Sequence, residues 1–239
     1  MINICSRCNR FQVIWLRSSM VDGRTLMWES GELLHEGAEA TVTEGFWLGR
    51  KAVLKSRRPR AYRHPDLDRR LTKQRLSVEA RVLSKLSRSG FPCPSLIYLD
   101  QQNSQILMTR VDGRPLYHLL KEGETSSKVL RNLGSLIRRL HVQGVSHGDL
   151  TTHNVMITDD GTLFLIDFGL SRQSPELEHM GLDLQVLNEC LGASHSTIID
   201  GIEAVCEGYL NEEGLNNSES AETVIDRFNK ITGRVRYHG

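Results

Sequence analysis

The sequence predicts an α+β protein of two lobes: a small, mainly antiparallel β lobe carrying one helix, then a reduced, mostly helical lobe. Three observations predict it. From Gly31 to Arg110 short apolar or alternating runs dominate, punctuated by Gly, Pro, Asn and Asp, the pattern of strands joined by turns. One stretch among them, roughly Asp66 to Ser87, sets Glu79, Val82, Leu83 and Leu86 at i, i+3, i+4 and i+7, a single face of a helix. After Val111 the apolar spacing is mainly helical.

Taken in order, "GELLHEG", "ATVTEGFWLG", "KAVLK", "SLIYLD" and "QILMTR" read as five strands. After "VDGRPL", Leu133, Leu136, Ile137 and Leu140 mark a helical stripe that stops at Gly144, a residue suited to a helix C-terminus. Then "VMIT" and "TLFLID" flank Asp159-Asp160-Gly161, a hairpin that sets Asn154 and Asp167 at neighbouring ends. From Gly181 helical segments alternate with Gly- and Ser-containing loops. The expected divisions are an unstructured leader over 1–27, a first lobe over 28–110 and a second over 111–239.

The chain has 239 residues, 39% of them hydrophobic, enough for a soluble fold with a substantial core. Net charge is +1, but its distribution is uneven. Between Arg50 and Arg75 eleven Lys or Arg face two acids, whereas Glu176 to Glu222 holds eleven acids and no Lys or Arg. Five cysteines without regular spacing point to a reducing compartment. Cys5-x-x-Cys8 lacks the second ligand pair of a structural zinc site, so both read as free thiols. The first twenty residues carry Arg7, Arg10 and Arg17 and no acid. They read as a leader, with an organelle-targeting peptide and an upstream start before Met20 or Met27 as alternatives. No run of 18 apolar residues exists, which excludes a membrane-spanning helix.

The stretch "SHGDLTTHNVMI" (Ser146–Ile157) carries the strongest chemical signal. In a loop entering a strand, the Asp149 carboxylate can orient an incoming hydroxyl while the Asn154 carboxamide oxygen, five residues on, binds a divalent cation, as phosphoryl transfer requires. Asp167, in "LFLIDFGLS", offers a further hard oxygen suited to Mg²⁺. Alone, Asp-Phe-Gly is equally a strand-ending turn; in register with H-G-D-x4-N and two short strands it is a specific combination.

The first lobe supplies Lys55, at the end of "KAVLK", which by itself matches a solvated strand end. Glu79 argues otherwise. A carboxylate on an apolar helical face is costly unless paired, and a strand lysine held by a helix glutamate grips phosphates in protein kinases. The turn "HEGAEATV" holds only Gly37, so a G-x-G-x-x-G loop is not supported and an ordinary hairpin explains it as well.

In their order, "EGAEATV", "VLK" with the insertion "RAYRHPDLDRRLTKQR", "VEARVL", "HGDLTTHNVMI", "LIDFGLS" and "GLDLQVL" resemble the PRPK family, the small atypical Ser/Thr kinase and ATPase subunit of the EKC/KEOPS complex. The resemblance runs from about Gly31 to near the C-terminus. It implies a bilobal protein-kinase-like fold, 28–110 and 111–239 together forming one kinase domain, with ATP and Mg²⁺ bound between the lobes. In that frame Lys55 contacts the phosphates and pairs with Glu79, Asp149 is the catalytic carboxylate, and Asn154 and Asp167 hold Mg²⁺. Gly37 and Glu39 belong to the phosphate-covering turn. Leu107, Met108, Thr109 and Val111 form the hinge that reads adenine through backbone groups. His147 braces the catalytic loop, a position where a packed histidine is the plainer reading. Asp183 is either an anchor for that loop or a first-turn helix acid.

The resemblance also implies partners: a metalloenzyme subunit of the EKC/KEOPS complex, its other subunits, and tRNA through the complex, in threonylcarbamoyladenosine formation in cytoplasm and nucleus, with no membrane. The Arg50–Arg75 run is then either a tRNA- or partner-facing patch or a solvated flank. "GRVRYHG" keeps Arg234 and Arg236 of the family's basic tail and then departs. Only eleven residues separate Gly169 from Gly181, without Ala-Pro-Glu, and Thr151 stands where protein kinases usually have lysine. Both features favour ATP hydrolysis, autophosphorylation or a narrow substrate over broad protein phosphorylation. The competing readings are a small-molecule phosphotransferase, disfavoured by the intact Asp-Phe-Gly, and a non-catalytic scaffold, disfavoured by the complete set of groups.

Overall fold

A computed structural model describes residues 28–37, 40–58, 64–123, 127–212 and 219–235. The leader with Cys5 and Cys8, Glu39, residues 59–63 of the basic run and residues 236–239 of the tail lie outside the described residues. The chain divides into two compact units, one holding residues up to Ser77 with Ser95–Arg110, the other Val78–Pro94 with Val111 onward. Residues 78–94, expected in the first lobe, group with the second unit.

The first unit is built on an antiparallel sheet of β1 (Trp28–Glu36), β2 (Ala40–Trp47), β3 (Arg50–Arg57), β4 (Leu96–Asp100) and β5 (Gln105–Thr109) in the order β1-β2-β3-β5-β4. These are the five strands expected from the alternating runs. Alternation decides the register, since a one-residue slip would turn Ala52 and Leu54 off the buried face. Both are buried with Trp28 and Leu107, and Trp47, Ile97 and Tyr98 pack against them. Helix α1 (Pro65–Arg88) runs one residue beyond each end of the expected span, with Asp66 and Asp68 in its first turn and Lys85 and Arg88 in its last, charges that complement the helix dipole.

In the second unit β6 (Arg114–Pro115) leads into α2 (Leu116–Glu122), α3 (Ser127–Val142) and β7 (Val145–Ser146). The predicted stripe Leu133, Leu136, Ile137 and Leu140 is buried on α3, and Gly144 takes a left-handed φ of 66° just after it, as a helix stop requires. A 3₁₀ turn, η1 (Thr152–Asn154), opens β8 (Val155–Ile157), which pairs antiparallel with β9 (Leu163–Leu165), Val155 opposite Leu165. Gly161 turns the hairpin at φ 83°. Next, β10 (Arg172–Gln173) pairs with β7, Arg172 opposite Ser146, and α4 (Leu177–Ser194), α5 (Gly201–Asn211) and α6 (Ala221–Val235) complete the unit.

Helices α3 and α5 cross at backbone distance. A Cβ on Gly134 would collide with the Val205 carbonyl, and one on Gly208 with the Arg131 carbonyl. Only glycine permits that approach. Among the described residues no helix is long and apolar enough to cross a membrane.

Candidate active site

The stretch from Ser146 to Asn154 is a loop tied down at nearly every residue. Its start is held in the β7–β10 pair. The next two backbone N–H groups, His147 and Gly148, donate to Asp183 of α4, at 2.6 Å to Oδ2 and 2.8 Å to Oδ1. Asp183 is therefore the loop's anchor, the first of its two readings. Gly148 stands at φ 79° and faces the Leu170 carbonyl where a Cβ would sit, so no other residue fits.

His147 ties the loop to the Asp-Phe-Gly segment. Its Nε2 lies 3.0 Å from the Ile166 carbonyl, its own carbonyl accepts from the Ser171 hydroxyl at 3.0 Å, and its ring lies 5.0 Å from that of the fully buried Phe168. Ile166 N–H donates to the Asn154 carbonyl at 3.0 Å. Asp167 follows in the left-handed region at φ 60°, a conformation Asp tolerates better than most residues.

Asn154 folds back on the acid. Its Nδ2 donates to the Asp149 carbonyl at 2.9 Å and to Asp149 Oδ2 at 3.2 Å. With the amide nitrogen so engaged, the carboxamide presents its oxygen to any ligand. An Asn oxygen and the Asp167 carboxylate are hard donors of the kind Mg²⁺ takes, with phosphate and water filling its other positions, so these residues fit that ion.

Behind Asp183 lies a polar cluster that sequence reasoning missed. His141 Nε2 sits 3.1 Å from Asp183 Oδ2, and its Nδ1 lies 2.8 Å from the Tyr209 hydroxyl. Burial pushes the Tyr209 phenol up to about 12, so it keeps its proton. The Asp183 carboxylate is an acceptor, so Nε2 is the nitrogen that donates to it, and the Tyr209 hydroxyl serves Nδ1. Arg138, 3% exposed, lies over the Tyr209 ring with 5.6 Å to the centroid. A signal for the cluster exists: Arg138 and His141 interrupt a buried apolar helix, which is the argument applied to Glu79.

The remaining expected residues lie elsewhere in the chain. Lys55 lies in β3 opposite Ile106 and is 6% exposed, and Glu79 in α1 is 1% exposed; each has a partner. Leu107 and Met108 are buried on β5. Thr109 accepts the Ser95 N–H at 2.8 Å on its hydroxyl and gives its own N–H to the Ser95 carbonyl at 2.9 Å. Gly37 closes a turn by donating to the Ala40 carbonyl at 2.9 Å. Val111 follows β5. In the basic run, Arg58 pairs with Glu36 and Arg69 with Asp66.

Residues 43–187 match the RIO domain family. The chain is 33% identical over 216 residues to the EKC/KEOPS complex subunit bud32 of Dictyostelium discoideum, covering 87% of this chain and 84% of that one. It is 34% identical over 206 residues to a probable bifunctional tRNA threonylcarbamoyladenosine biosynthesis protein of Methanobrevibacter smithii, covering 86% of this chain but 36% of that protein. The chain thus spans little more than a third of such bifunctional relatives. Among solved structures it resembles a Rio2 kinase–ADP/Mg²⁺–phosphoaspartate complex from Chaetomium thermophilum, with a TM-score of 0.59, 17% identity, and 87% and 72% of the two chains covered. The fold, with a β-sheet unit followed by a helical unit carrying this loop, is that of the protein-kinase-like class. Within that class the chain belongs to the RIO-domain family, in its Bud32/PRPK branch.

Proposed function

We propose that this protein is an atypical Ser/Thr protein kinase and ATPase that acts on ATP with Mg²⁺ as a subunit of the EKC/KEOPS complex, in support of threonylcarbamoyladenosine modification of tRNA. The observation that carries the reading is the bonding of Asn154 Nδ2 to the backbone carbonyl and to Oδ2 of Asp149, in a loop whose backbone is held by Asp183. Such pre-organisation of a carboxylate beside hard-oxygen donors is what phosphoryl transfer needs, since catalysis there rests on positioning and charge rather than covalent chemistry.

In this reading Asp149 is the catalytic carboxylate that orients the attacking hydroxyl or water. Asn154 and Asp167 hold Mg²⁺, which would supply charge neutralisation on the phosphates. Lys55, with Glu79, serves the phosphates, Gly37 and Glu39 cover them, and Leu107, Met108, Thr109 and Val111 receive the base. Thr109 N–H is already given to Ser95, so the base would meet carbonyl groups and the Val111 N–H instead.

The chain passes from β10 at Gln173 to α4 at Leu177, which leaves no room there for a peptide-docking platform and favours ATP hydrolysis or a narrow substrate. The name of the bud32 relative supports membership of the complex. The bifunctional proteins carry a region like this chain within a longer polypeptide, which is consistent with a separate partner protein; that this partner is a metalloenzyme subunit of the complex is our proposal from the family resemblance. Further subunits, tRNA through the complex, and cytoplasm and nucleus complete the reading.

The test is ATP turnover by the purified full chain with Mg²⁺ and with excess EDTA, together with mass spectrometry of what copurifies from the native cell. Mg²⁺-dependent turnover and recovery of the threonylcarbamoyl-transferring enzyme are expected. Metal-independent turnover, or a clean preparation without that enzyme, would contradict the two halves of the reading separately.

A further inference from the structure

Asp183 secures the loop just before Asp149. A second contact from the same helix meets the loop just after it. Thr152, the first residue of η1, is fully buried, and its hydroxyl lies 3.0 Å from His195 Nε2 and 3.4 Å from Cys190 Sγ. His195 caps the C-terminal end of α4, its N–H donating to the Leu191 carbonyl at 2.9 Å, and is 3% exposed. Tyr117 of α2 packs edge-on against the His195 ring, 5.1 Å between centroids, and stacks on His153 at 3.9 Å. The ring is thereby held from α2 and from the loop as well as from its own helix.

We propose that His195 is a positioning residue for the reaction: through its bond to Thr152 it fixes the far end of the catalytic loop, so that α4 grips the loop on both sides of Asp149. Local bonding transmits the grip. Thr151 N–H donates to the Asp149 carbonyl at 3.0 Å and Asn154 N–H to the Thr151 carbonyl at 3.0 Å, so Thr152 sits inside one tied turn. A shift of Thr152 moves Asp149 and Asn154 together. Because imidazole Nε2 either donates to or accepts from a hydroxyl, the bond survives either tautomer. Leaving a buried hydroxyl without its partner is costly, and Cys190 Sγ at 3.4 Å is the weaker alternative to Nε2 at 3.0 Å.

The kinetic part of this inference rests on the phosphoryl-transfer reading; the grip itself does not. The experiment compares the full wild-type chain with His195→Phe, Thr152→Val, the double variant and His195→Gln, whose amide nitrogen reaches the place of Nε2. Two quantities are read: kcat and KM for ATP hydrolysis, and amide hydrogen exchange across 148–155. We expect His195→Phe and Thr152→Val each to lower kcat roughly tenfold or more, with KM within about twofold of wild type and faster exchange across 148–155. His195→Gln restores both, and the double variant is no worse than either single one. Unchanged kcat and exchange, additive losses, or His195→Gln as impaired as His195→Phe would overturn the proposal. Wild-type protein without ATP turnover would sink the functional reading instead, and exchange alone would then decide: unaltered protection of 148–155 in His195→Phe refutes the grip, and lost protection upholds it.

Discussion

Asp183 accepts the Gly148 N–H at 2.8 Å across a sequence separation of 35 residues, and so decides where the next residue, Asp149, begins. The same carboxylate also takes the His147 N–H and His141 Nε2. Removing it strands three donors at once, two of them on the buried residues His147 and His141. Asp183→Ala should lower stability by about 2 kcal/mol or more, at about 1–3 kcal/mol per buried donor left unpaired, and abolish ATP turnover. Asp183→Asn, which keeps one acceptor oxygen, should fall between. Chemical denaturation of the three proteins checks the order.

The α3–α5 crossing makes a second, independent prediction. Gly208→Ala inserts a methyl against the Arg131 backbone, and backbone gives way poorly, so a loss of about 1–3 kcal/mol is expected. Gly192→Ala, on α4 with nothing near the added methyl, should instead stabilise by about 0.5–1 kcal/mol, because alanine restricts the unfolded chain. Melting temperatures moving in opposite directions would support the crossing as described.

Two thiols should be chemically silent. Burial raises Cys93 to about 11, partly offset by a hydrogen bond from Ser87, and burial with the nearby Glu203 raises Cys206 to about 11. The thiolate is the reactive form, so at pH 8 neither should alkylate appreciably until the protein is unfolded. Mass spectrometry after iodoacetamide treatment, with and without denaturant, reads this directly.

His195 carries a pH signature whose sign follows from its surroundings. Burial first, then the charges of Lys121 and His153, lower its pKa below the ordinary imidazole value. Above that value, about 6.5, folded and unfolded rings are both neutral and stability does not vary through this group. As pH falls below it the unfolded ring takes up a proton first, so stability declines until the folded ring titrates too. The melting temperature of His195→Gln should therefore fall less between pH 7.5 and 5 than that of wild type. Equal slopes would contradict the assignment.

Much of the fold is legible in the sequence, as is the loop that carries Asp149 and Asn154, and the exceptions have physical reasons. The five strands and α1 and α3 follow from periods of 2 and 3.6, which local chain geometry imposes. Strands such as β6, β7 and β10, two residues each, have no period to detect. In the candidate site, Asp149 and Asn154 share one short stretch, and Asp167 stands in the next, beyond the β8–β9 hairpin. Asp183 stays between two readings at the level of sequence, which does not say which backbone an acid on a helix will face. Thr152 and His195, 43 residues apart, meet only through the packing of α4, and no spacing announces them. Gly134 and Gly208 likewise gain meaning only when α3 meets α5.

Asp149, held by Asn154 and by the anchored loop, is in this reading the carboxylate that drives phosphoryl transfer from ATP, and every other assignment in the site depends on it. Single-turnover ATP hydrolysis by Asp149→Ala, beside its ATP affinity by calorimetry, is the decisive measurement. Turnover should fall by about a hundredfold or more with affinity and melting temperature near wild type. Turnover at the wild-type rate in that variant would remove Asp149 from the chemistry.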